Sequence, residues 1–204
     1  QKNELKDKYF YQDCFTDKEY PKMYAKIRLN NTYVREEKWD SKNIHKGIFI
    51  DILPLDNFPN NKLKGRYLLK KFRFIDNLCN DNNHPSYNPL VQILFAVFNL
   101  LPKKHLYKIR ENLLKKTRKF EDSLFYCSFG SHYKPMKMRV LKKSWFLGKP
   151  VYLEFEGNNF RVPSNWEKYL IHLFGKNYIK PPKPSDRKNH FNFYEVIFDT
   201  TKKG

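Results

Sequence analysis

The chain has 204 residues, of which 40% are hydrophobic and 17% aromatic, a composition that excludes a disordered chain and suits one folded domain. Its three cysteines form no CxxC pair, which argues against a zinc ribbon and favours reduced thiols in a cytosolic protein. The formal net charge is +19, and residues 103–149 carry 14 Lys and Arg against three acidic residues. We therefore expect an anionic partner, the alternative being a surface whose lysines only confer solubility.

Two short strands are predicted within MYAKIRLNNTYV (23–34), one on each side of a turn-prone Asn-Asn pair. Lys26 and Arg28 alternate with apolar residues, so both cations lie on the same strand face. Two cations arranged in this way can bind a diphosphate. A strand face that is simply solvated is the alternative.

The segment HKGIFIDILPLDNFP (45–59) contains an isoleucine-rich run that predicts a buried strand over 48–53, ended by a proline. Strand alternation places Asp51 on the face opposite the isoleucines. An unpaired buried carboxylate costs several kcal/mol or becomes protonated, and a divalent cation would compensate its charge. The alternatives for Asp51 are backbone hydrogen bonds or an arginine partner. Asp56, after the proline, is predicted to be a turn or helix-cap residue and is a further site candidate.

From 62 to 126 the apolar residues follow a helical spacing. An uninterrupted apolar run, 90–101, precedes a helix that begins near Pro102 and carries Lys and Arg opposite its apolar stripe. The run is too short to span a bilayer, which needs roughly 20 residues. An apolar helix followed by a basic helix suits a membrane interface. Nucleic-acid binding, or a core helix beside a solvated one, are the alternatives.

Strands are predicted again at 150–162, where VYLEFEGNNF alternates and then offers a turn. Glu154 and Glu156 share one face of the first strand, so they are candidate metal ligands or acid–base groups. A sheet face that is wet and has no catalytic role is the alternative.

The remaining C-terminal segment is predicted to contain one helix and one strand. Ser164 and Glu167 have the spacing of a capping box, and Gly175 is expected to end the helix that follows. The prolines after it favour an extended chain that finishes as a strand. His190, in DRKNH, is a candidate phosphate or metal ligand, and an ordinary surface histidine is the alternative.

Five segments, taken in this order, resemble the LicD family, which is related to the fukutin-type proteins. They are TDKEYPKMYAKIRLNNTYVREE (16–37), HKGIFIDILPLDNFP (45–59), SWFLGKPVYLEFEGNNFRVPSNWEKYL (144–170), HLFGKNYIKPP (172–182) and DRKNH (186–190). Between them lies a helical insertion, predicted at about 62–143, within a single domain of residues 1–204.

The resemblance implies an α+β fold with a nucleotidyltransferase-like mixed sheet and a basic helical insertion. It also implies an enzyme that moves a phosphocholine-like group from a CDP-choline-like donor to a cell-surface glycan, teichoic acid or lipopolysaccharide acceptor of a bacterium. Such enzymes hold Mg²⁺ or Mn²⁺ through three carboxylates, and Asp51 matches the third of them. Lys26 and Arg28 match the family's K-x-R segment and would contact the donor phosphates. Arg187 and His190 are the other phosphate-binding candidates.

The chain departs from the family pattern at its start. The family's N-terminal glycine motif is absent, and so is its Asp-rich motif, which supplies the other two metal carboxylates. We therefore expect a C-terminal portion of a LicD-like protein, or a degenerate one, in the cytoplasm or at the inner face of the membrane with contact through 90–119. The alternatives are a non-catalytic remnant and a basic module that binds membrane or nucleic acid. Nucleic acid is disfavoured, because the aromatic residues of the basic region fall on its helical core stripe.

Overall fold

A computed structural model of the protein describes residues 7–36, 40–80, 88–131, 136–181, 183–186 and 193–199. The described residues form ten strands and four α-helices, so the predicted α+β class is confirmed. All strand pairs in this part of the chain are antiparallel, and a mixed sheet is not found there.

The elements run from β1 near the N-terminus to β10 near the C-terminus. The strands are β1 (Tyr9–Gln12), β2 (Ala25–Leu29), β3 (Tyr33–Glu36), β4 (Phe49–Ile52), β5 (Asp56–Phe58), β6 (Phe125–Cys127), β7 (Val140–Lys142), β8 (Val151–Phe155), β9 (Asn158–Val162) and β10 (Phe193–Ile197). The helices are α1 (Lys62–Cys79), α2 (Pro89–Asn99), α3 (Lys103–Lys115) and α4 (Trp166–Phe174).

The chain divides into two compact units. The first unit comprises Gln1–Pro54, Lys70–Leu113 and Lys188–Gly204, and the second comprises Leu55–Leu69 and Leu114–Arg187. The described strands β1 to β4 and β10 belong to the first unit, together with α2 and most of α1 and α3.

The first unit contains a three-stranded sheet in the order β1-β2-β4. The predicted strands at 23–34 are confirmed, but they lie in different sheets, because β3 pairs with β10 rather than with β2. Thr32 holds the connection in place: its hydroxyl donates to the carbonyl of Leu29 and accepts from the amide of Ile48. A Cβ at Gly47 would collide with the Leu29 carbonyl oxygen, so this close approach requires glycine.

The polar face of this sheet is buried, and the face that carries Ile50 is open to solvent at that residue. Ile50 of β4 is 71% exposed, whereas Gln12 and Arg28, on the opposite face, are almost fully buried. The strand predicted at 48–53 is therefore confirmed, but its predicted burial is wrong. The physical reason is that the polar face binds chain segments that fold over it, through Gln12 to Asp17 and through Phe10, whose ring stacks on the ring of His45.

The three helices of the first unit share one apolar core. Residues from α1, α2 and α3 meet there, namely Ile75, Leu78, Cys79, Phe95, Leu106 and Tyr107. Arg110 of α3 is buried and donates to the carbonyls of Pro21 and Lys22, which ties this core to the segment before β2. None of the helices in the described ranges is long and apolar enough to cross a bilayer.

The second unit contains the sheet β5-β6-β7, the hairpin β8-β9 and α4. The hairpin is confirmed, but β6 and β7 lie within 62–143, so the predicted insertion is not helical throughout. The predicted capping box is also wrong, because the Ser164 hydroxyl donates to the carbonyls of Trp145 and Leu147 instead of capping α4. Helix α4 does end at Gly175, where φ is 84°. All three cysteines are free.

Candidate functional site

Lys26 and Asp51 form an ion pair on the buried face of the β1-β2-β4 sheet. They are direct cross-strand neighbours, with Lys26 Nζ 2.9 Å from Asp51 Oδ1. The Lys26 side chain is 4% exposed and that of Asp51 is 31% exposed, so solvent reaches the pair from the Asp51 side. Lys26 Nζ also lies 3.0 Å from the centroid of the Phe49 ring. The partner of Asp51 is therefore a lysine, whereas the alternative stated from the sequence was an arginine.

Burial and the Asp51 carboxylate have opposite effects on the pKa of Lys26. Desolvation lowers the pKa of its ammonium group, and the hydrogen bond and the charge of Asp51 act in the opposite direction. Asp51 therefore keeps a proton on a lysine that would otherwise lose it more easily.

Arg28 is the centre of a second set of contacts on the same face. Its Nε donates to Gln12 Oε1 (2.6 Å) and its Nη1 donates to the carbonyl of Gly47 (2.8 Å). Gln12 in turn donates through Nε2 to Asp17 Oδ2 (2.8 Å), which also accepts the backbone amide of His45. Arg28 thus links β2 to β1 and to the segment before β4. Burial lowers the pKa of its guanidinium, and nearby Glu36 opposes this shift most strongly.

Two tyrosines lie near this face. The rings of Tyr20 and Tyr24 meet edge to face, with centroids 6.3 Å apart. Burial raises the pKa of both phenols, and the negative charge of Asp51 raises both further. Both side chains therefore remain neutral hydroxyls at physiological pH beside the carboxylate. Tyr20 is fully buried, so of the two hydroxyls only that of the partly exposed Tyr24 lies on a side chain that a ligand could reach.

The described residues do not by themselves build a divalent-cation site. They contain no group of three or more His, Cys, Asp or Glu side chains placed to hold a metal ion. Asp51 offers one carboxylate, and its Oδ1 already accepts from an ammonium group. The requirement for Mg²⁺ or Mn²⁺ therefore stays a prediction.

Three other predicted site residues, Asp56, Glu154 and Glu156, belong to the second unit and not to the β1-β2-β4 sheet. Asp56 lies in β5, opposite Cys127, and is neither a turn nor a cap residue, because the chain resumes a strand directly after the proline-containing segment. Glu154 and Glu156 are exposed, and Glu156 lies in the hairpin turn with φ at 48° instead of on the strand. Arg187 and His190 lie outside the described residues, so their predicted roles stay predictions.

Gln12, Asp17 and His45 belong to the site, and the sequence did not indicate them. The one local signal is the alternation in YFYQ, which places Gln12 on the face of Phe10. Nothing local shows that this face is the buried one. The bonds to Asp17 and His45 join residues five and 33 positions away, and such pairing is decided by the fold.

Asp56 is expected to make the stability of the second unit depend on pH. Its Oδ2 is buried without a hydrogen-bond partner, and burial raises its pKa to about 6. Because the folded pKa is raised, the protonated form favours folding, and this contribution is lost as the pH rises from about 4 through about 6. Asp56→Asn should therefore raise the free energy of unfolding by ~2 kcal/mol at pH 7.5, after allowance for partial exposure.

Urea unfolding of the wild-type and Asp56→Asn proteins between pH 3.5 and 8 measures this effect. Asp122 is exposed, so Asp122→Asn serves as the matched control and should show no pH-dependent gain in the free energy of unfolding. A gain from Asp56→Asn that is equal at pH 4 and pH 7.5 would contradict the assignment.

Comparison with protein-family models, with curated proteins and with solved structures found no match. The resemblance to the LicD family therefore rests on the five sequence segments alone.

Proposed function

We propose that this chain is the donor-binding part of a LicD-like phosphotransferase. The observation that supports the proposal is the register of β2 and β4, which places the K-x-R cations and the FIDIL carboxylate on one face of adjacent strands. Lys26 and Arg28 belong to one segment of the sequence and Asp51 to another. Their meeting on one face places two cations beside one carboxylate, and Lys26 is the cation whose carboxylate partner is open to solvent.

The proposed donor is a CDP-activated alcohol such as CDP-choline, and the acceptor is a hydroxyl of a glycan or of a lipid-linked precursor. The oxygen of the acceptor hydroxyl forms a bond to the phosphorus that carries the alcohol, in line with the bond to CMP, which breaks as CMP leaves; the hydroxyl proton passes to water. The diphosphate approaches from the solvent side and competes with the Asp51 carboxylate for the Lys26 ammonium group, because both groups are anionic. Arg28 is 1% exposed and bonded to Gln12 and Gly47, so its role is to position β1 and β2.

The test is calorimetric binding of CDP-choline to the full chain, with and without MgCl₂, followed by a CMP-release assay with a hydroxyl acceptor. Asp51→Asn keeps an oxygen opposite Lys26, so the fold should be retained while CMP release falls about 100-fold or more. Asp40→Asn is the matched control, because it removes an exposed carboxylate from an ion pair with Arg35 on the same unit. Circular dichroism verifies folding of each variant.

Two outcomes would contradict the proposal. CMP release by Asp51→Asn at the wild-type rate would remove Asp51 from the site. A folded wild-type chain that binds no CDP-choline at millimolar concentration would favour the non-catalytic alternative.

A further inference from the structure

Helix α2 has a wide apolar face that is open to solvent. Four positions of this face and the two residues that directly follow the helix carry aliphatic side chains, and all six are more than a third exposed, up to 83% at Leu100. They are Leu90, Ile93, Leu94, Val97, Leu100 and Leu101. We call these six residues the α2 aliphatic face. A contiguous exposed apolar surface of this kind marks an interaction site.

The α2 aliphatic face is additional to the face that packs in the core. Phe95 is 1% exposed, and Phe98 and Val91 also pack against the core cluster. The Phe74 ring of α1 meets the rings of Phe95 and Phe98 edge to face. Core packing therefore uses one side of α2 and leaves the α2 aliphatic face unexplained.

The chain segment that follows α2 contains a cluster of cations. Residues 88–110 contain four Lys or Arg and no acidic residue. Two of the four cations have internal roles, because Lys103 Nζ donates to the carbonyl of Leu78 and Arg110 binds the segment before β2. Lys104 and Lys108 are exposed on α3, five and nine residues beyond the end of α2. An aliphatic helix followed directly by exposed lysines is complementary to apolar chains under an anionic surface.

The chemistry of the α2 aliphatic face distinguishes a lipid from a protein. It consists of Leu, Ile and Val, while the two phenylalanines of the helix point into the core. Protein interfaces are enriched in Tyr, Trp, Met and Arg. Leucine and valine are under-represented among binding hot spots, the residues that contribute most of the binding free energy. A face with no charge and only aliphatic groups suits the acyl boundary of a bilayer.

We propose that α2 and α3 dock on an anionic lipid bilayer, with α2 lying in the plane of the interface. The six side chains of the α2 aliphatic face enter the acyl boundary, and Lys104 and Lys108 contact the phosphate headgroups. This surface is separate from the Lys26–Asp51 pair, so docking does not require catalysis.

The experiment is co-sedimentation of the full chain with vesicles of 30% phosphatidylglycerol and 70% phosphatidylcholine, and with pure phosphatidylcholine vesicles. The wild-type chain should partition preferentially to the anionic vesicles. Ile93→Ser/Val97→Ser should lower that partitioning about tenfold. Both side chains are exposed, so the fold should be retained, and circular dichroism checks this.

Matched controls separate docking from general stickiness and from net charge. Leu63→Ser/Tyr67→Ser removes two exposed apolar side chains of α1 and should leave binding unchanged. Lys104→Glu/Lys108→Glu should weaken binding to anionic vesicles more than Lys64→Glu/Lys142→Glu, which has the same charge change elsewhere. Equal losses in a variant and its control would overturn the proposal.

Sedimentation velocity without lipid tests the alternative partner of the α2 aliphatic face, which is a second copy of the chain. A monomer that binds vesicles supports the proposal. A stable dimer that Ile93→Ser/Val97→Ser converts to a monomer would assign the α2 aliphatic face to self-association and overturn it.

Discussion

Replacing Arg28 by methionine is expected to lower the free energy of unfolding by about 3–5 kcal/mol. Methionine fills part of the space but cannot donate, so Gln12 Oε1 and the Gly47 carbonyl lose a buried donor. The Phe49 ring, whose centroid is 4.7 Å from the guanidinium carbon, also loses a cation contact. Equilibrium unfolding in urea measures the change. Arg28→Lys should recover little stability, because one ammonium group cannot reproduce both directions of the guanidinium.

The control for this prediction is Arg35→Met, which removes the other arginine of the same region. Arg35 lies on β3 and makes two hydrogen bonds to Asp40, but its side chain is 50% exposed. Water replaces the lost contacts, so little change is expected. If the two variants lose similar stability, the buried network around Arg28 does not stabilise the fold as inferred.

The Lys26–Asp51 pair is expected to respond asymmetrically to removal of its partners. Asp51→Ala leaves a lysine that is 4% exposed without its counter-ion, and should cost about 2–3 kcal/mol in unfolding free energy. Lys26→Met leaves Asp51, which is 31% exposed and can be hydrated, and places an apolar side chain against Phe49. That change should cost about 1 kcal/mol or less.

A double-mutant cycle tests the asymmetry. Lys26→Met/Asp51→Ala should be more stable than Asp51→Ala alone, because the uncompensated lysine is gone. The same variant should be inactive in the CMP-release assay, which separates folding from the proposed function. Equal costs for the two single variants would show that the burial of Lys26 is not the deciding factor.

Part of the candidate site followed from local pattern. Alternation alone placed Lys26 and Arg28 on one strand face and Asp51 opposite the isoleucines, and the described register agrees with both. The side of the sheet that is buried could not be predicted in this way. It depends on contacts such as Gln12 to Asp17, and these form only when distant segments fold over the sheet.

Of the two predictions for the ends of α4, the stop at Gly175 is confirmed and the capping box at Ser164 is wrong. The difference again depends on whether a tertiary contact competes with the local one. Gly175 ends α4 with a positive φ, which glycine adopts without steric cost because it has no Cβ. Ser164 has the capping-box spacing, yet its hydroxyl binds the carbonyls of Trp145 and Leu147. A tertiary contact offered the hydroxyl two acceptors, and the local cap was not formed.

The sequence by itself determined which residues form the strands at 23–34, 48–53 and 150–162, because alternation and turn residues act over a few positions. It also determined the charge of the region that follows α2. Only the tertiary structure decided that Asp51 meets Lys26, that Ile50 faces solvent and that α2 keeps an aliphatic face open. These features depend on strand register and on which faces are covered, and both arise from contacts between residues far apart in the chain.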